Sequence, residues 1–102
     1  MRLELTARHF QLSEPLRRLA DKWVRKLERF DDRIIECQVV MDVEKHRKTA
    51  EVLLNVNGHI LKAAHESHDM YLSLDGAFEK VEAQLKRLEG RLKDRRSEDE
   101  LR

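Results

Sequence analysis

The chain has 102 residues, 40% hydrophobic and 40% charged, with 21 Lys or Arg against 20 Asp or Glu and a formal net charge of +1. That is one small domain, and three Gly and one Pro exclude a collagen-like or Gly/Pro-rich disordered polymer. No apolar run is long enough to span a membrane, Cys37 has no internal disulfide partner, which fits a reducing cytoplasm, and the balanced charge makes the placement of cations the test of any polyanion-binding reading.

Leu3, Leu5 and Ala7 alternate with Glu4, Thr6 and Arg8 and predict a first strand, with no continuous apolar core of signal-peptide length. Ser13 is a predicted N-cap, followed by Glu14 and Pro15 in a first helical turn that tolerates proline and favours an acid. Leu16, Leu19, Ala20, Trp23, Val24, Leu27 and Phe30 then recur at helical spacing until Asp31 and Asp32 break it. Residues 33–44 predict a second strand with Ile35, Cys37, Val39, Met41 and Val43 on one face. A polar corner from Glu44 to Lys48 leads to a third strand, 49–56. Asn57-Gly58 suits a type I′ turn, whose central residues need positive φ, so a fourth strand over 59–66 should pair with the third.

The last element is long. Tyr71, Leu74, Phe78, Val81, Leu85, Leu88 and Leu92 fall 3, 4, 3, 4, 3, 4 apart and predict a helix of roughly six to seven turns, with Asp69 as N-cap. Residues 1–96 read as a single domain and 97–102 as a frayed polar tail. The expected fold class is α+β: a β-α-β-β-β-α order, with a four-stranded sheet and both helices on its one apolar face.

Charge is sorted along this order. Residues 14–30 hold six Lys or Arg against three Asp or Glu, and 80–96 hold seven against three. At 100° per residue, Arg18, Lys22, Arg25 and Arg29 cluster opposite the first helix's apolar seam. Lys80, Gln84, Arg87 and Arg91 form a stripe on the second helix. Helices side by side would turn both stripes away from the sheet, along one surface with a groove between them, suited to a phosphate-rich wall. The competing reading is two ordinary solvated faces with local pairs such as Glu82–Lys86.

Catalytic signals are missing. Gly58, Gly76 and Gly90 are scattered and form no phosphate loop. His59, His65, His68 and Asp69 lack convincing metal spacing, and Cys37 on an apolar strand face reads as a buried, inert thiol. Trp23, Tyr71 and Phe78 read as core, so RNA contacts should go to phosphate, sugar and shape rather than to stacked bases. No enzyme, cofactor, metal or small-molecule substrate is expected.

The segment Asp69-Met70-Tyr71-Leu72-Ser73-Leu74-Asp75-Gly76 resembles an Asp-Met-Tyr-Ala-Ala-Ile-Asp signature, continued by Lys80, Gln84 and Leu85. Lys26-Leu27-Glu28, Asp32-Arg33-Ile34, Val43-Glu44-Lys45 and Val56-Asn57-Gly58 match the same pattern, over roughly residues 2–95. Together they resemble the short ribosome hibernation-promoting factors of the ribosome-associated translation inhibitor / sigma-54 modulation protein family. The resemblance implies a double-stranded RNA-binding-domain-like fold that lodges in the mRNA and tRNA channel of the small ribosomal subunit. Bound there, such proteins block translation in stationary phase or stress and promote paired, inactive ribosomes together with a modulation factor.

The resemblance carries RNA contacts to Arg17, Lys26 and Arg29 on the first helix and to Lys80, Gln84, Lys86 and Arg87 on the second. Ala83 stands where the family usually has an arginine, with Arg87 and Arg91 nearby. With the charge stripes, the expected RNA-binding set is Arg17, Arg18, Lys22, Arg25, Lys26, Arg29, Lys80, Gln84, Lys86, Arg87 and Arg91. The short tail after Arg96 favours the promoting type over inhibitors that block pairing. A generic duplex-RNA binder and a protein-binding adaptor are the alternatives.

Overall fold

The computed structural model describes the backbone of residues 1–100 and the side chains of residues 1–90. Its elements are β1 (Arg2–Arg8), α1 (Glu14–Phe30), β2 (Ile34–Glu44), β3 (Arg47–Val56), β4 (His59–Ser67) and α2 (Met70–Glu100). The order is the expected one. The α2 helix runs to Glu100, longer than its apolar seam suggests, and the Arg91 side chain and residues 101–102 of the expected tail lie outside the described residues.

The four strands form one sheet in the order β1-β2-β3-β4. β1 runs parallel to β2, because α1 carries the chain back across the sheet between them. The other neighbours are antiparallel. The β3–β4 hairpin turns on Asn57 (φ 52°) and Gly58 (φ 95°), and the Gly58 N–H donates to Asn55 Oδ1 at 2.9 Å.

The apolar sheet face is built from rows across the strands: Leu3–Cys37–Leu54–Leu61 and Leu5–Val39–Val52–Ala63. Cys37, Val39, Val52 and Leu54 are fully buried there against Leu16, Ala20, Val24 and Leu27 of α1 and Leu74, Phe78, Val81 and Leu85 of α2. Truncating one of the large members to Ala should cost about 2–5 kcal/mol.

Phe30, the last residue of the expected α1 seam, is 46% exposed, and two further expectations about which side chains face inward are corrected. Ile35 is 54% exposed, whereas Ile34 is buried against the core. A bulge between Ile34 and Glu36 is the cause: Ile34 pairs with Val56 and Glu36 with the adjacent Asn55, so the alternation slips by one residue. Tyr71 is 43% exposed instead of lying in the seam, and Met70 is buried in its place. Asp69 caps α2 by accepting the Tyr71 N–H at 2.8 Å, which sets the phase of the first turn.

Candidate nucleic-acid interface

The outward side of α1 is the cleanest basic surface. Leu16, Ala20, Val24 and Leu27 take the buried side, which leaves Arg18, Lys22, Arg25 and Arg29 exposed on the opposite one. With Asp21 and Glu28 they border an open depression of about 680 Å³. Among the described residues, no carboxylate comes within ion-pair distance of these four cations. The helix itself is firmly set, since Ser13 Oγ accepts the Leu16 N–H at 3.4 Å and the Asp31 N–H closes the last turn on Leu27 O at 2.9 Å.

The second basic stripe is turned elsewhere. Lys80 Nζ donates to Ala64 O and Gln84 Nε2 to Lys62 O, both at 2.9 Å. These carbonyls belong to β4, an outer strand of the sheet, so the stripe lies along the sheet edge and covers backbone acceptors there. The expected pair of basic stripes flanking one groove is therefore corrected. The reason is the helical phase: with Leu74, Phe78, Val81 and Leu85 in the core, positions 80 and 84 fall on one flank and positions 75, 82 and 89 on the other.

That other flank faces α1 and is acidic. Asp75 Oδ1 accepts the Trp23 Nε1 proton at 2.8 Å, Glu82 pairs with Lys26 Nζ at 3.2 Å, and Glu89 pairs with Arg33. Glu82 also takes Lys86 at 3.8 Å, so two expected RNA contacts share one carboxylate. Both ammonium groups lie over aromatic rings as well, Lys26 over Trp23 at 4.8 Å and Lys86 over Phe30 at 6.0 Å. Arg17 stands 3.8 Å from Glu14, and Arg87 is exposed with no described ion-pair partner.

Sequence reasoning missed the clamp that fixes the end of α1. Asp31 is 4% exposed and accepts the Arg33 N–H at 2.9 Å and its Nε at 3.1 Å. Burial pushes the Asp31 carboxyl up, but the bonds from Arg33 and Glu89 and the guanidinium charge outweigh it and hold it at about 2. Glu89 moves the other way, raised chiefly by its hydrogen bond with Asp31. The seven-residue spacing of Asp75, Glu82 and Glu89 was the available signal for an acidic flank.

The remaining polar candidates have structural surroundings. Burial pushes the Cys37 thiol up to about 12, so it is not a thiolate at neutral pH. His65 lies against Gly76, where an added Cβ would stand 2.5 Å from the ring. No helix among the described residues is long and apolar enough to cross a membrane.

Comparison with known proteins places these features in context. A family model described as "Sigma 54 modulation protein / S30EA ribosomal protein" matches residues 3–93. A relative from Escherichia coli K12, "Ribosome hibernation promoting factor", is 37% identical over 93 residues, covering 91% of this chain and 98% of the relative. A ribosomal subunit interface protein from Coxiella burnetii superposes with a TM-score of 0.81 at 26% identity, covering 88% of this chain and 99% of that one. The N-terminal domain of Thermus thermophilus Protein Y superposes with a TM-score of 0.79 at 25% identity, covering 86% and 99%.

Proposed function

The chain belongs to the sigma 54 modulation protein / S30EA ribosomal protein family, and from that premise we propose that it is a ribosome hibernation factor acting on the small subunit. The domain occupies the channel used by mRNA and tRNA and excludes them sterically. Its role is non-enzymatic, with contacts to RNA and no covalent step. It acts in the cytoplasm, in stationary phase or stress, and a ribosome modulation factor joins it in pairing inactive ribosomes.

The observation that carries this reading is the α1 column of Arg18, Lys22, Arg25 and Arg29, exposed and without described carboxylate partners on a chain of near-zero net charge. Cations held this way neutralise phosphates and release the counterions condensed on the RNA, which supplies affinity without general attraction to polyanions. Arg87 adds a fifth cation from α2. Lys26 and Lys86 contribute after leaving Glu82, and Lys80 and Gln84 reach RNA only at the β4 edge. Co-sedimentation with purified small subunits across a salt series tests the reading.

A further inference from the structure

The groove between the two helices has its own chemistry. It holds a pocket of about 350 Å³ lined by Leu19, Lys22, Trp23, Lys26 and Arg29 of α1 and Asp75 of α2. That volume is at the small end of the range for ligand sites. The Trp23 indole is half-buried and lies parallel to the Phe78 ring, with centroids 5.4 Å apart and 4° between planes. The Lys26 ammonium covers the ring 4.8 Å from its centroid, at the end of a side chain that is 57% exposed. Asp75 holds the indole by one oxygen at 2.8 Å.

We propose that this pocket takes one unpaired nucleotide, its base laid on Trp23 and its phosphate held by Lys22 and Arg29. The proposal rests on the RNA-binding reading above and deepens it. An aromatic plate backed by Phe78 is rigid, and any base has a π-face to stack on it. Lys26 gives up the ring and Glu82 and swings onto the backbone, exchanging a cation–π contact for a phosphate contact. The second Asp75 oxygen accepts from an exocyclic amine, which favours amine-bearing bases over uracil. Cations beside an aromatic plate fit a nucleotide, which carries a base and a phosphate in one unit.

Trp23 is the one tryptophan of the chain, so its emission reports this pocket directly. The experiment titrates the intact protein with an end-labelled single-stranded RNA hexamer and with an abasic hexamer of equal phosphate count, following label anisotropy and Trp23 emission together. The expected result is about tenfold tighter binding of the base-bearing hexamer, with Trp23 emission quenched at saturation by that hexamer alone. Equal affinities, saturation without a change in Trp23 emission, or no binding of either hexamer overturns the pocket. Sedimentation with small subunits is run alongside. Protein that pellets with subunits yet treats both hexamers alike loses the pocket alone, and protein that neither pellets nor prefers the base-bearing hexamer loses the functional reading too.

Discussion

Lys26 of α1 lies 3.2 Å from Glu82 of α2, and the same side chain takes Lys86 at 3.8 Å through its other oxygen. One carboxylate thus ties the two helices together and offsets two cations that the sequence suggests are available to RNA. The cations of α1's outer column have no such neighbour among the described residues.

This difference sets the first expectation. Replacing Arg25 by Ala should lower the slope of log K against log salt for small-subunit binding by about one. Lys26→Ala should lower it by less than half as much, because Lys26 leaves an ion pair before it meets a phosphate. With about five phosphate contacts, the parent slope should lie near −4 to −5. Equal changes for the two variants contradict the assignment of Lys26 to Glu82.

Gly76 of α2 packs directly against the His65 imidazole of β4. A Cβ at position 76 would meet the imidazole at 2.5 Å, so Gly76→Ala should cost about 1–3 kcal/mol in urea unfolding. His65→Ala in the same chain should recover most of that loss. A Gly76→Ala variant as stable as the parent shows that the ring moves aside freely.

Asp31 gives a pH signature. Its carboxyl is held at about 2 in the folded chain against 3.8 for the free group, so the folded state favours the ionised form. The stabilisation is complete above about pH 5 and disappears as pH falls toward 2, and it amounts to about 2 kcal/mol. The raised Glu89 works in the opposite sense, stabilising while protonated and losing that contribution as pH rises. Asp31→Asn should therefore be less stable at pH 7, by less than about 2 kcal/mol because it also relieves Glu89, and nearly level with the parent at pH 2, measured by urea titrations at both values. A loss undiminished at pH 2 contradicts an electrostatic origin.

Cys37 is fully buried and its thiol is pushed up to about 12. A thiol reagent at pH 8 should leave the folded protein unmodified and label it fully in denaturant. Fast labelling of the folded chain shows that β2 opens.

Much of the fold was legible because it depends on local chemistry. Ser13 before Glu14-Pro15 marked the start of α1, and Asn57-Gly58 fixed the hairpin that aligns β3 with β4. Ile35 was misplaced because the adjacent Ile34 breaks the alternation and leaves two candidates for the inward position, and the bulge that chooses Ile34 is decided across the sheet, by its pairing with Val56. Tyr71 was misplaced because Met70 offers an equally apolar side chain one position earlier, and the cap at Asp69 settles the phase. The α1 column was readable since a single helix with one buried side determines its outer face. The direction of the α2 stripe was not, because it depends on which flank meets α1 and which meets β4. Arg33 was passed over because its partner Glu89 lies on α2, far along the chain, and Asp31, two residues before it, reads only as a helix end.

The most direct test reverses three of the cations assigned to the ribosomal RNA. Arg25, Arg29 and Arg87 are replaced together by Glu, folding is checked by circular dichroism, and co-sedimentation with purified small subunits is measured at low salt beside the parent chain. The expected result is a folded variant that stays in the supernatant while the parent pellets. A folded variant that pellets as the parent does contradicts the account.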